Sequence, residues 1–529
     1  MANSKKQTFV QGAFILMIAN ILVKVIGAIF KIPLNYLLGD EGMGYFGTAY
    51  TVYSWMYIVA TAGMPVAISK MVAESRAHGN QAEANRIFSV SYKLLGFIGV
   101  VGFLFLFFGA DWCANIMASP NSAVGIKALA PAILFVSIMS VYRGYFQGHQ
   151  DMFPTAVSEV TEALGKLTIG YVAAYIFVKY GVDKAAAGAV FGVSGGAVIG
   201  AVVLALMHLA GRKNKNDSSV SKNVRSNGEL TKALIKIAVP VTIGASVFSL
   251  TSIIDAAMIM RRLQESAGFS YEAANTLWGA YTGKSITMFN LVPTLITAIS
   301  ISIVPTISSA FALGNKPEAQ DATERSIKIT VLLTAPCAVG MSLMAGPILQ
   351  LIFHSTSAES TLSILGYCIT FVSLVSLTNA ILQAMGKANT PVIHMVVGGL
   401  VKVAVNYYLV GNPAININGA PVGTILCYVV ILCLNLVSIK KAISIRYNVT
   451  GLVIKPVISV VAMGAVVIAL KNATAFMGNT LSCVVTIVCA AVVYAGVLLT
   501  IGGMTEEDVA MLPKANKLIP VMKKMKFLK

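Results

Sequence analysis

Two lysines, Lys24 and Lys31, stand inside the apolar stretch ANILVKVIGAIFKIPLNYLLG (19–39). Seven residues make two helical turns, so in a helix the two ammonium groups share a face. An ammonium facing lipid at membrane depth costs about 2.5–3.5 kcal/mol. One reading is therefore a polar cavity wall that binds an anion. The other is an ion pair for Lys24 and snorkelling of Lys31 to the nearby interface. Asp40 and Glu41 follow directly in GDEG (39–42), either as a polar turn or as gate counter-ions to Lys31. Glu159, Glu162 and Lys166 fall at i, i+3 and i+7, again on one helical face. Glu162 precedes Lys166 by four residues, the favourable order for a helical ion pair. That cluster is either self-neutralised or handles substrate or protons. Lys402 has Gly398 and Met395 where an acid would pair with it, so it is expected to be the freer cation, with His394 as a neighbour. Asp255 pairs with a lysine or binds a coupling cation, a proton or sodium. Lys284 opens an apolar helix in GAYTGKSITMFNLVP (279–293), as a cavity cation or a snorkelling one.

These charges need membrane helices to hold them. Of 529 residues 57% are hydrophobic and only 11% charged, and the mean hydropathy is +0.78. A soluble chain of this length needs more charged surface. Apolar runs of about 20 residues recur from end to end, each able to cross a bilayer core of about 30 Å. The first run is too long for a cleaved signal peptide and lacks a small-residue cleavage site. The reading is an all-α membrane protein of about 14 transmembrane helices. Their expected limits are 12–38, 45–69, 91–117, 125–148, 155–179, 186–210, 235–260, 284–312, 328–353, 361–384, 391–411, 419–439, 454–471 and 481–502.

The net charge of +18 comes from 39 Lys+Arg against 21 Asp+Glu. Its positions favour topology over nucleic acid. Arg212, Lys213, Lys215, Lys222, Arg225, Lys232 and Lys236 crowd one linker, and Lys514, Lys517, Lys523, Lys524, Lys526 and Lys529 crowd the tail. No aromatic residues interleave with them as a single-strand binder requires. Basic loops mark the cytoplasmic side and attract anionic lipid headgroups. Both termini, with Lys5 and Lys6 at the start, are expected in the cytoplasm of a multi-pass cell-membrane protein. The seven cysteines and five histidines show no metal-ligand spacing, so no metal and no cofactor is expected.

The chain repeats itself. FVSIMSVYRGYFQG begins at Phe135 and FVSLVSLTNAILQA at Phe371, an offset of 371 − 135 = 236 that Gln147/Gln383 and Lys166/Lys402 share. AHGNQAEANRIF (77–88) echoes ALGNKPEAQDAT (312–323), and MPVAIS (64–69) echoes VPTISS (304–309). Six helices is an even number, so both copies enter the membrane from one side, a parallel repeat. The expected organisation is an N-lobe of helices 1–6 (1–211), a basic cytoplasmic linker (212–234), a C-lobe of helices 7–12 (235–440), and a final helix pair with a basic tail (441–529). The two six-helix lobes would surround a central cavity.

The stretches KQTFVQGAFILMIANILVKVIGAIFKIPLNYLLGDEGMG, TAGMPVAISKMVAE, YRGYFQGHQDMFPTAVSEV and SISIVPTISSAF resemble the stage V sporulation protein B and MurJ-like polysaccharide-transport branch of the MOP exporter superfamily. The resemblance runs from about residue 6 to 500. It implies a flippase, not an enzyme, that moves undecaprenyl-diphosphate-linked sugars such as peptidoglycan lipid II to the outer leaflet of a bacterial membrane. It also implies a cationic cavity, with arginines on helices 1, 2 and 8. Lys24 and Lys31 stand in the region of the first and Lys284 in that of the last. All three are lysine, which lacks the bidentate fork that suits a diphosphate. Helix 2 (TVYSWMYIVATAG, 51–63) carries no basic residue, but Tyr50, Tyr53, Trp55 and Tyr57 there offer surfaces on which sugar rings stack. Teichoic acid, capsule and spore-cortex precursors are alternative cargoes. A cation-coupled multidrug exporter would want acids on helix 1, and a membrane transferase would want a catalytic cluster in a large loop; neither is present.

Overall fold

Glycine and proline set the breaks in the chain, and the first helix shows how. α1 (Phe9–Thr61) consists of two limbs that meet at Gly39, whose φ of 62° and ψ of −174° are unfavourable for a side-chain-bearing residue. A second break, at Ala62 and Gly63, precedes α2 (Met64–Ala77). Together Phe14–Ala77 spans 64 residues. As one straight helix that would be roughly 96 Å, three times a bilayer core. The breaks divide it into lengths a membrane accepts.

The protein is described by a computed structural model over residues 9–213, 224–443 and 450–503. Every regular element among the described residues is helical. After α2 come α3 (Gln81–Phe108), α4 (Ala110–Ile116), α5 (Ala123–Gly148), α6 (Phe153–Phe177), α7 (Val182–Lys213), α8 (Asn227–Glu265) and α9 (Tyr271–Ala280). A π turn (Tyr281–Ser285) leads to α10 (Ile286–Phe289) and α11 (Leu291–Ala312). Then follow α12 (Lys316–Leu343), α13 (Ala345–Phe353), α14 (Glu359–Gly366), α15 (Cys368–Ala384), α16 (Asn389–Val410), α17 (Gly419–Ile443), α18 (Lys455–Ala473) and α19 (Asn479–Thr500). Among the described residues nine helical stretches are long and apolar enough to cross a membrane, or ten if α14 and α15, bent by 46°, form one span. The Lys5 and Lys6 pair, linker residues Lys215 and Lys222, and the lysine-rich tail lie outside the described residues.

Several helices start well before the limits read from hydropathy, because polar caps extend them beyond the apolar run. Asn80 accepts from the Glu83 N–H at 3.0 Å, so α3 begins at Gln81 rather than 91. Asn315 does the same for Glu318, so α12 begins at Lys316 rather than 328. Ser226 and Glu229 form a capping box that starts α8 at Asn227 rather than 235. The stretch 261–283, expected as a loop, is helical except near 266–270, where Ser270 caps α9. Such caps contribute about 1 kcal/mol each.

The chain forms two compact units, Met1–Gly283 and Lys284–Lys529. Their boundary differs from the linker expected at 212–234, since α8 and α9 pack with the first unit. The reason is visible in the contacts. Leu230, Leu234 and Ala238 of α8 are buried in one apolar cluster with Met64, Ile68 and Met71 of α2. Gly63 brings its backbone so close to the Ala238 carbonyl that no side chain fits. In the second unit, α18 and α19 pack on α12 and α13 through Leu332, Met344, Met463, Val467 and Cys483, and the Tyr494 hydroxyl donates to the Leu332 carbonyl at 2.8 Å. Between helices in lipid, such close packing and polar contacts replace the hydrophobic drive.

Candidate functional site

The first unit gathers its intramembrane charges where α1, α5 and α6 meet. α7 fixes the depth of α6: Gly192 and Gly196 leave no room for a Cβ beside the carbonyls of Lys166 and Glu162. Small residues of this kind let two backbones approach closely in a membrane. α6 thus presents Ser158, Glu159, Glu162 and Lys166 to α5 and α1.

Glu162 does not pair with Lys166, as its spacing suggested. It accepts from the Arg143 guanidinium of α5 instead, with Nη2 to Oε2 at 2.9 Å. Arg143 also donates from Nε to Ser158 Oγ at 3.0 Å. Both ionic side chains are largely sheltered, at 10% and 19% exposure. A guanidinium offers planar, directed donors, and it reaches Glu162 while an ammonium one turn away has another choice. Lys166 takes that choice. Its Nζ lies 4.5 Å from the centre of the Tyr50 ring and 5.7 Å from that of Phe30. The Tyr50 hydroxyl is 3.5 Å from the same nitrogen. A cation against an aromatic face is stabilised by about 2 kcal/mol when desolvated.

Tyr50 belongs to an aromatic row, Phe46, Tyr50, Tyr53 and Tyr57, with successive ring centres 5.8 to 5.9 Å apart. Tyr53 is buried, so it packs inward rather than offering an open stacking face. Trp55 and Tyr57 are half-buried. Glu159 sits beside the Arg143–Glu162 pair and is attracted to Arg143. One of its carboxylate oxygens is buried with no hydrogen-bond partner among the described residues.

Lys31 is half-buried on α1 and repels Lys166 across the α1–α6 contact. The cluster thus holds three cations, Lys31, Arg143 and Lys166, against two acids, Glu159 and Glu162. Lys24 lies two turns earlier and is exposed, as are Asn20 and Val25 beside it. Asp40 and Glu41 do not form a loose turn. They open the second limb of α1, where Glu41 accepts from the Tyr45 hydroxyl at 2.9 Å, and its carbonyl accepts from Asn275 of α9 at 2.8 Å. Asp255 is buried on α8.

In the second unit Lys284 does not open its helix and does not snorkel. It lies within the π turn between α9 and α10, buried to 4% exposure. Its ammonium donates to Ser355 Oγ and Ser357 Oγ, each at 2.9 Å. π turns are rare and recur at functional sites. Lys402 is half-buried on α16 and has interactions of its own, so it is not the freer cation expected. His394 meets Asn435 at 2.7 Å and Ser438 at 3.5 Å rather than serving Lys402. Asn435 in turn donates to Thr378 at 2.9 Å and Asn379 at 2.8 Å. No group of three metal-ligating side chains occurs among the described residues.

Arg143 is the residue that sequence reasoning missed. The signal was there: an arginine in an apolar segment that shares a repeat register with Asn379, fifteen residues before Ser158.

The sequence compares as follows with known proteins. The model of a family described as polysaccharide biosynthesis protein matches residues 9–311, and the MatE model matches 273–408. Stage V sporulation protein B of Bacillus subtilis (strain 168) is 24% identical over 517 residues, covering 97% of this chain and 99% of that one. The lipid II flippase MurJ of the same organism is 26% identical over 487 residues, 87% of each. Among solved structures, the inward closed conformation of lipid II flippase MurJ superposes with a TM-score of 0.68 at 14% identity, covering 92% of this chain and 98% of that one. An inward-facing multidrug-resistance MATE transporter of the MOP superfamily has the same TM-score at 16% identity, covering 80% and 94%. The last two matches concern fold alone.

Proposed function

The chain belongs to the polysaccharide biosynthesis protein family of the MOP superfamily, and from that premise we propose that this multi-pass membrane transporter is a flippase for undecaprenyl-diphosphate-linked sugars, with peptidoglycan lipid II as its first candidate cargo. It carries the headgroup from the inner to the outer leaflet by alternating access. The observation that carries the reading is the charge balance where α1, α5 and α6 meet: three cations against two acids, 3 − 2 = +1, with Lys24 two turns away on α1. A diphosphate must take negative charge through a medium where an isolated ion is costly. Side chains of opposite sign within the membrane lower that barrier while the prenyl tail stays in lipid. Lys24, Lys31, Lys284 and Lys402 are the proposed cargo-facing cations. The proposed topology has fourteen helices, with both termini and the 212–234 linker in the cytoplasm.

One observation favours a related cargo. Residues 51–63 carry no basic side chain, and the helix-1 cations are lysines. A point charge holds a phosphate without fixing its orientation, and this suits a transporter for another lipid-linked glycan. The discriminating experiment is complementation. Depletion of the host's own peptidoglycan-precursor flippase should be rescued by this gene, with lipid II restored to the outer face. Rescue of a different glycan's export, without lipid II, assigns the alternative cargo. Extrusion of cationic dyes with no rescue of either would overturn the flippase reading in favour of a multidrug exporter.

A further inference from the structure

The α2–α3 corner of the first unit carries a buried carboxylate, Glu83. Its Oε1 accepts from Arg225 Nη2 at 2.6 Å, from Arg225 Nε at 3.0 Å and from Ser75 Oγ at 2.9 Å. Its Oε2 accepts from the Arg225 backbone N–H at 3.4 Å. One turn on, Arg86 Nε donates to Asn227 Oδ1 at 2.8 Å. Arg225 and Asn227 lead straight into α8, whose next turns bury Leu230 and Leu234 against α2 and α3. α8 is thus held to this corner by charge at its end and by apolar packing along its length.

The second repeat contains the same corner, where among the described residues Glu318 takes no arginine partner. Asn315 and Glu318 follow Asn80 and Glu83 by 315 − 80 = 318 − 83 = 235 residues, and each asparagine caps the helix that begins there. Glu318 is exposed, however, and its carboxylate accepts from Asn315 itself at 2.7 Å. The chain leaving this repeat is held by Gln320 donating to the Ile443 carbonyl, and by Leu452, buried in a cluster with Ala319 and Ala322. α18 then packs on α12. In contact terms α18 is to the second corner what α8 is to the first.

The difference matters for motion. Water does not replace an apolar seam without cost. It can replace an ion pair whose acid is sheltered but whose arginine is 43% exposed. We infer that Glu83 and Arg225 form a releasable latch at the joint between the repeats. Closed, it seats the first turns of α8 on the α2–α3 corner. Open, it frees those turns. The latch does not depend on the identity of the cargo, so it can fail while the flippase reading stands, and the reverse.

The test is a cysteine reporter at Leu234 in the full-length protein with its seven native cysteines replaced. The purified protein is reacted with a water-soluble maleimide. With Glu83 and Arg225 intact, labelling is slow. Glu83→Gln and Arg225→Ala each speed it about tenfold, equivalent to about 1.4 kcal/mol. Arg225→Lys, which keeps the charge, stays close to the parent. A second reporter at Leu129, buried in α5, stays unlabelled in every variant. Unchanged Leu234 labelling in both neutralising variants overturns the latch. So does labelling that rises equally at Leu129, because that is loss of fold rather than local release.

Discussion

Replacing Arg143 with alanine should damage the protein more than any other single change in the charged cluster. The guanidinium makes one bond to Glu162 at 2.9 Å and one to Ser158 at 3.0 Å, with both ionic side chains mostly sheltered. Ser158 loses little, since its hydroxyl still donates to the Thr155 carbonyl at 2.7 Å. Glu162 loses its counter-ion, and stranding a buried charge costs about 3–5 kcal/mol. That is a large part of a typical stability of about 5–15 kcal/mol. Glu162→Gln should cost less, about 1–3 kcal/mol, because the amide oxygen still accepts from Arg143. The double variant Arg143→Met, Glu162→Leu removes both charges and should lie within about 2 kcal/mol of the parent, since apolar replacement of a buried pair is often neutral. The assay is the monodisperse fraction that survives heating in detergent, read by size-exclusion chromatography, alongside membrane abundance by immunoblot. An Arg143→Ala protein as heat-resistant as the parent would refute the argument. So would a double variant as damaged as the two single changes combined, because the predicted coupling would then be absent.

Lys166→Met should cost only about 0.5–2 kcal/mol, the worth of a cation–π contact; a loss as large as that of Arg143→Ala would restore the Glu162–Lys166 pair as the structural one. Lys24→Ala and Lys31→Ala should each impair complementation of a flippase-depleted strain at near-normal abundance, with Lys24→Arg partly active. Full complementation by Lys24→Ala would sink the cationic mechanism. Ser355→Ala with Ser357→Ala removes two hydroxyls from the buried Lys284 ammonium and should lower heat resistance by about 1.5–3 kcal/mol per bond; an unchanged melting profile would show that Lys284 has another anchor of equal strength. A cysteine placed at Ser219 should resist an impermeant thiol reagent in intact cells while one in the 411–419 loop reacts, and the reverse pattern would invert the proposed topology.

The elements of this fold were legible because apolar runs, repeat echoes and cap residues all leave marks in one dimension. The 19–39 stretch reads as a helix on hydropathy alone, and GDEG marks its break, which falls at Gly39. What hydropathy blurs is the polar first turn. Asn80, Ser226 and Asn315 each add up to a dozen residues to a helix whose apolar part starts later. Side-chain partners were less legible. Glu162 and Lys166 have the right spacing to pair, yet spacing ranks only partners on the same helix. Arg143 stands on another helix, nineteen residues earlier, and its pairing depends on how deeply α6 sits against α7. Gly192 and Gly196 set that depth, and their role emerges only when the carbonyls of Lys166 and Glu162 are seen beside them.

The offset of 236 now relates two polar networks that the sequence presented as unrelated. Adding it to Arg143 gives Asn379, and adding it to Ser158 gives His394. In the first repeat, Arg143 of α5 reaches α6 directly, through Ser158 and Glu162. In the second, Asn379 and His394 meet through Asn435, which bonds both from α17. Both repeats therefore tie the same pair of helices together with polar groups, one by an ion pair and one by amides and an imidazole. Glu162 maps to Gly398, so the second repeat has no acid there to need an arginine. A neutral network avoids the desolvation of two ions, which a buried pair only partly recovers. Keeping the ionic version in the first unit has a cost in stability. Its return, in the proposed mechanism, is a fixed cluster that gains its positive balance from Lys31 of α1, where a diphosphate would pass.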